Sequence, residues 1–136
     1  MSFARAGIDG FPLNRDGLTP GWVGKCLASA KVPGPSPIRI RIEDLEELGQ
    51  TADAYLIHLE FDDVPHPNCP RTLFAKTAPS DEGHRLQIHD LGLYARELSF
   101  YHDFSGDPGI PIPTVYFANL NPNTGHFFLL LENLFE

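Results

Sequence analysis

TLFAKTAPS, from Thr72 to Ser80, followed by LGLYARELSFYHDF, from Leu91 to Phe104, decides how this chain is read. In the first stretch Thr72, Phe74 and Lys76 fall on one side and Leu73 and Ala75 on the other, the period of two that a pleated strand imposes. In the second, Leu91, Tyr94, Leu98 and Tyr101 form one stripe with Leu93, Glu97 and Phe100 beside it. That spacing predicts one long helix over 86–104, ending where Gly106, Pro108 and Gly109 force a turn. Lys76 closes the strand on the side of Phe74, just before the polar turn Thr77 to Ser80. Taken alone, a strand-end lysine keeps its ammonium in water. Glu97, however, sits among the apolar residues of the helix and should face the sheet, where a carboxylate requires a cation. Lys76 is the only lysine between Tyr55 and the C-terminus, so it is the expected partner, with arginines such as Arg96 as competitors.

Working outward, Ile38, Ile40 and Ile42 alternate with Arg39 and Arg41, and YLIHLEF from Tyr55 to Phe61 reads as a second strand, the two expected to pair antiparallel. With the strand at Thr72 to Lys76 they make a meander. Downstream, IPIPTVYFANL predicts a fourth strand over Val115 to Leu120, NPNTG a turn, and HFFLLLENL a fifth strand. Upstream, Thr19 suits an N-cap and Pro20 a first helical position, while Trp22, Val23, Leu27 and Ala30 recur at helical spacing. A short helix over 20–30 follows, stopped by the proline-rich VPGPSP from Val32 to Pro37. Residues 1–17, with scattered Gly7, Gly10, Pro12 and Gly17, read as a loose arm. The expected fold class is α+β: a five-stranded, mainly antiparallel sheet packed on one long helix, preceded by a short N-terminal helix.

Composition sets the bounds. At 136 residues the chain holds one core, and its 42% hydrophobic and 21% charged content is that of an ordinary globular domain. A formal charge of −8 argues against nucleic acid as a partner. The apolar run Phe127 to Leu131 falls far short of the ~20 residues that span a bilayer, so no membrane partner is expected. Cys26 and Cys69 are too few for a disulfide framework, and the cytoplasm is the default location. His66 and Cys69, near Asp62 and Asp63, form no closed tetrahedral set, so no metal site is assigned in this chain. The other histidines lack HExxH spacing, and the chain has no GxSxG, GxxxxGK[ST] or CxxC motif.

TLFAKTAPS, LGLYARELSFYHDF and GIPIPTVYFANLNPNTGHFFLLLENL together resemble the N-terminal lobe of the aminoglycoside-phosphotransferase-like small-molecule kinases, the branch that includes ecdysteroid-kinase-like proteins. The likeness covers roughly Leu18 to Leu134, so 18–136 is expected to form a protein-kinase-like N-terminal, ATP-binding lobe. It implies that Lys76 holds the α- and β-phosphates of ATP and that Glu97 orients it through an ion pair. Glu132, Asn133 and Leu134 would occupy the hinge that reads the adenine edge. The first hairpin, which in this family cradles phosphate with several glycines, here offers only Gly49, with Gln50 and Thr51 as further donors. No catalytic residue is assigned: the His-x-Asp loop and the magnesium ligands of such enzymes belong to a second lobe that this sequence lacks. The resemblance therefore implies a fragment, inactive alone, of an enzyme that transfers the ATP γ-phosphoryl group to a hydroxyl of a small molecule, with ATP and Mg as cofactors. The alternative is a non-catalytic kinase-like lobe, an interaction or regulatory module that pairs through its exposed cleft face.

Overall fold

A computed structural model describes residues 10–45, 52–104, 107, 109 and 111–134. The elements are α1 (Pro20–Ser29), β1 (Arg39–Leu45), β2 (Asp53–Glu60), β3 (Thr72–Thr77), α2 (Glu82–Asp90), α3 (Leu93–Phe104), β4 (Val115–Leu120) and β5 (Phe127–Glu132), with a 3-10 turn at Arg15–Gly17. The strands form one sheet in the order β1-β2-β3-β5-β4, and every neighbouring pair is antiparallel. The architecture is thus α+β, with three α-helices on a five-stranded antiparallel sheet.

The apolar run of β5 has a direct cause. β5 lies between β3 and β4, and both of its faces are covered. Phe128 and Leu130 enter a core with Val23, Cys26 and Leu27 of α1 and with Tyr55, Ile57, Leu73 and Ala75. Phe127, Leu129 and Leu131 enter a second core with Ile88 of α2 and Tyr94 and Leu98 of α3. A strand buried on both sides has no polar face to alternate with. On β4 a register shift between Val115 and Phe117 changes the side-chain parity. Val115 and Ala118 consequently share the α3-side core, while Tyr116 and Phe117 join the α1-side core.

α1 begins as its sequence dictates: the Thr19 hydroxyl accepts from Trp22 N–H at 3.1 Å, and Pro20 fills the first turn. Two expectations need correction. The long helix over 86–104 is two helices, because Leu91 and Gly92 make a turn in which Gly92 N–H donates to the His89 carbonyl at 2.8 Å. Gly92 has φ +76°, a left-handed conformation that ends α2 and that a side chain would resist. Leu91, read as part of the buried stripe, is instead 64% exposed. α2 also starts earlier than the hydrophobic spacing suggests, since the Asp81 carboxylate caps it by accepting from His84 N–H at 2.8 Å. Second, the N-terminal segment is not loose over the part described. Phe11 packs near Phe117 with ring centroids 6.2 Å apart, and Arg15 makes an ion pair with Asp44 of β1. Residues 1–9 lie outside the described residues.

Candidate functional site

Alternation along β3 places Leu73, Ala75 and Thr77 on the α1 side, which leaves Phe74 and Lys76 facing α3. Lys76 lies opposite Ala54 of β2 and Leu129 of β5, near the centre of the sheet. On α3, Tyr94 and Leu98 anchor the helix in the core, and Glu97 comes between them toward the sheet. Lys76 Nζ donates to Glu97 Oε2 at 2.7 Å, with the two side chains 22% and 31% exposed. Such partial burial strips enough water from both groups to strengthen a charge-assisted hydrogen bond while leaving one side of the ammonium approachable. An ammonium has three donors, so the contact with Glu97 leaves capacity for a further anion. Arg96, the competitor for Glu97, turns back on its own helix start, where its guanidinium donates to the carbonyls of Leu91 and Gly92.

An apolar groove of about 180 Å³ opens beside the ion pair, lined by Phe74, Tyr101, Pro113, Leu131, Glu132 and Leu134. Phe74 is two residues before Lys76 on the same face of β3, about 7 Å along the strand, and Tyr101 is one helical turn beyond Glu97. Groove and ion pair are therefore held by the same two elements. Burial, with the nearby Glu97 charge added, pushes the Tyr101 phenol above its ordinary pKa, so it stays neutral.

At the end of β5 the three expected hinge residues have distinct surroundings. Glu132 is tied into the sheet edge: its N–H donates to the Thr114 carbonyl at 2.8 Å and its carboxylate accepts from Thr114 N–H at 3.1 Å. Asn133 donates from its side-chain amide to the Thr72 hydroxyl at 3.0 Å, linking the segment to β3. Leu134 is 60% exposed at the mouth of the groove. Lys76 and Glu97 meet on the α3 side of the sheet, with Leu134 at the groove beside them, whereas Asn133 borders a separate hollow with Cys69, Thr72 and Tyr116, which Glu132 also lines. Gly49 and Gln50, like Thr51, lie outside the described residues.

Comparison with known proteins leaves the site to its own geometry. No protein-family model matches the chain, and no curated protein or solved structure is significantly similar to it.

Arg85 of α2, which the sequence reading passed over, supports the site. It is only 8% exposed, and its guanidinium donates to the carbonyls of Thr124 at 3.0 Å and of Pro79 and Ser80 at 3.2 Å each. It thereby fastens the turn that follows Lys76 to the hairpin between β4 and β5. The available signal was the Asp81 cap, which starts the helix early enough to bring Arg85 over the sheet.

His66 and Cys69 build a turn, in which Cys69 N–H donates to the His66 carbonyl and Asn68 N–H donates to His66 Nδ1. Burial raises the pKa of the Cys69 thiol. Among the described residues no group of three or more His, Cys, Asp or Glu side chains is arranged to hold a metal ion, and no helix is long and apolar enough to cross a membrane.

Proposed function

We propose that this chain is the ATP-binding lobe of a small-molecule phosphotransferase, of the aminoglycoside-phosphotransferase-like kind that its sequence resembles. One observation carries the reading: Lys76 of β3 meets Glu97 of α3 at 2.7 Å, half-buried, on the face of an antiparallel sheet that also holds an apolar groove. ATP, when bound, supplies the phosphoryl group that passes to a hydroxyl of the acceptor. The work of this chain is binding and orientation. Glu97 fixes a flexible ammonium in one rotamer, so less entropy is lost when Lys76 neutralises phosphate charge. Phe74, Leu131 and Leu134 offer a flat heterocycle apolar contact and exclude water beside the ammonium. With the Glu132 N–H bonded to the Thr114 carbonyl, contact with the adenine edge falls to the backbone of Asn133 and Leu134. Among the described residues no group of three or more His, Cys, Asp or Glu side chains could hold a metal ion, and no step is assigned to magnesium.

The test is an ATP-dependent thermal shift. The wild-type chain is expected to gain stability in millimolar ATP, and Lys76→Met to lose that gain while keeping its fold. An unchanged shift in Lys76→Met would overturn the assignment.

A second reading, a non-catalytic lobe that pairs through its open face, is favoured by one observation: Leu134 at 60% and Phe100 at 45% remain exposed on large apolar side chains. It predicts that the wild-type chain shows no ATP shift and that light scattering detects self-association relieved by Phe100→Ser.

A further inference from the structure

The hairpin that joins β4 to β5 rests on α2 through two side-chain bonds. His89 Nε2 donates to the Pro122 carbonyl at 2.9 Å, and Arg85 Nε donates to the Thr124 carbonyl at 3.0 Å. Gly125 makes the approach close: its φ is +78°, and a Cβ there would come 3.0 Å from His89 Cβ and 3.4 Å from Arg85 Cγ. The hairpin backbone therefore lies directly on the helix. The same guanidinium reaches the carbonyls of Pro79 and Ser80, so Arg85 ties hairpin, helix and the turn after Lys76 into one piece.

His126 sits where this contact can be undone. Its N–H donates to Thr124 Oγ1 at 3.2 Å, which keeps the ring close to the carbonyl that Arg85 holds. Ring atom Nδ1 is buried and has no hydrogen-bond partner. A neutral imidazole tolerates that, because its proton can sit on Nε2 and Nδ1 then carries only a lone pair. An imidazolium does not: both nitrogens carry N–H, and the one on Nδ1 would be sealed from water without an acceptor. The neighbours offer no relief. Among the described residues Arg85 of α2 is the charged group that acts on His126, and it has the same sign as an imidazolium. His89 of α2 is already committed as a donor to Pro122, and Asn121 to Gly125 hold no ionisable side chain. Burial, with the Arg85 charge added, accordingly keeps the His126 pKa below 6.5.

We infer that the β4–β5 hairpin is an acid-released latch: a proton taken up by His126 drives the hairpin off α2, where Nδ1 reaches water, and so loosens the turn behind Lys76. The closed form binds that proton less readily than the open form. Closure is therefore complete while His126 is neutral and is lost as pH falls below 6.5 through the pKa of the closed form. Opening withdraws the Thr124 carbonyl from Arg85, which leaves the turn at Pro79 and Ser80 without its tie to the hairpin.

Native-state hydrogen exchange on the full chain, without nucleotide, tests this at about pH 7.5 and about pH 5, on either side of the histidine range. Protection factors remove the direct effect of pH on exchange and report opening alone. Opening read at the Gly125 amide, which donates to the Asn121 carbonyl, is expected to rise about tenfold in acid. Opening at the Leu59 amide, bonded to the Arg71 carbonyl in the sheet, should change less than about twofold. His126→Gln keeps a polar side chain that takes up no proton and should abolish the rise at Gly125. In the wild type, where no substitution can disturb folding, the His126 ring protons and the Gly125 amide should titrate with one midpoint, below 6.5. An equal rise at Leu59, a rise that persists in His126→Gln, or a ring that titrates while the Gly125 amide stays fixed would overturn the inference.

Discussion

Replacing Arg85 with leucine removes a buried guanidinium and the three carbonyl contacts it makes to Pro79, Ser80 and Thr124. A hydrogen bond from a charged donor is worth about 1.5–3 kcal/mol net, but three such values do not add. Ser80 lies in the exposed turn, so its carbonyl recovers water, and deleting the cation also returns its desolvation cost. The expected net loss is about 2–3 kcal/mol, a fall in Tm of roughly 10 °C for a chain of this size. Urea unfolding followed by circular dichroism measures it, and native-state hydrogen exchange should show faster opening around Thr77 and Gly125 than in β1. Arg85→Lys keeps the charge without the planar fork and should lose about half as much. A loss below ~0.5 kcal/mol for Arg85→Leu would refute the argument that this residue fastens the turn after Lys76.

Glu97→Gln leaves Lys76 half-buried without its counter-charge and should cost about 1 kcal/mol, with a double-mutant cycle against Lys76→Met returning a coupling of similar size that shrinks in high salt. Zero coupling would count against the ion pair. Gly92→Ala should destabilise by about 1 kcal/mol from backbone strain alone, since φ is +76° and no atom lies within 4 Å of the added methyl; Gly92→Asn should cost less. His126 has its folded-state pKa held below 6.5 by burial, with the Arg85 charge adding to the effect. The folded chain therefore binds that proton less readily than the unfolded one, and the associated stability, present above pH 6.5, is lost as pH falls through the folded pKa. His126→Gln should flatten this part of the pH profile, and an unaltered slope would contradict the assignment.

Much of this was legible in the sequence for identifiable reasons. Lys76 and Glu97 could be brought together because strand alternation fixes the face of one and an apolar stripe fixes the face of the other. β4 occupies Val115–Leu120 as its pattern predicts, since the prolines before it and the NPNTG turn after it leave little freedom. The split between α2 and α3 was hidden because Tyr94, Leu98 and Tyr101 stay in phase with Leu91 across the break, and a single glycine does not disturb that count. Arg85 was hidden because its partners are backbone carbonyls, one of them 39 residues away, and carbonyls carry no residue signature. The docked Arg15 turn joins segments far apart in sequence and has no periodic pattern of its own.

The central claim, that Lys76 meets the phosphates of ATP, is tested most directly by side-chain NMR of lysine. Lys25, Lys31 and Lys76 are the lysines of this chain, and Glu97→Gln and Lys76→Met assign the signal. Titration with ATP should move the Lys76 Nζ resonance, leave those of Lys25 and Lys31 in place, and move Lys76 less in Glu97→Gln. A Lys76 signal that stays fixed while ATP saturates the protein, or a response confined to Lys25 or Lys31, would contradict the account.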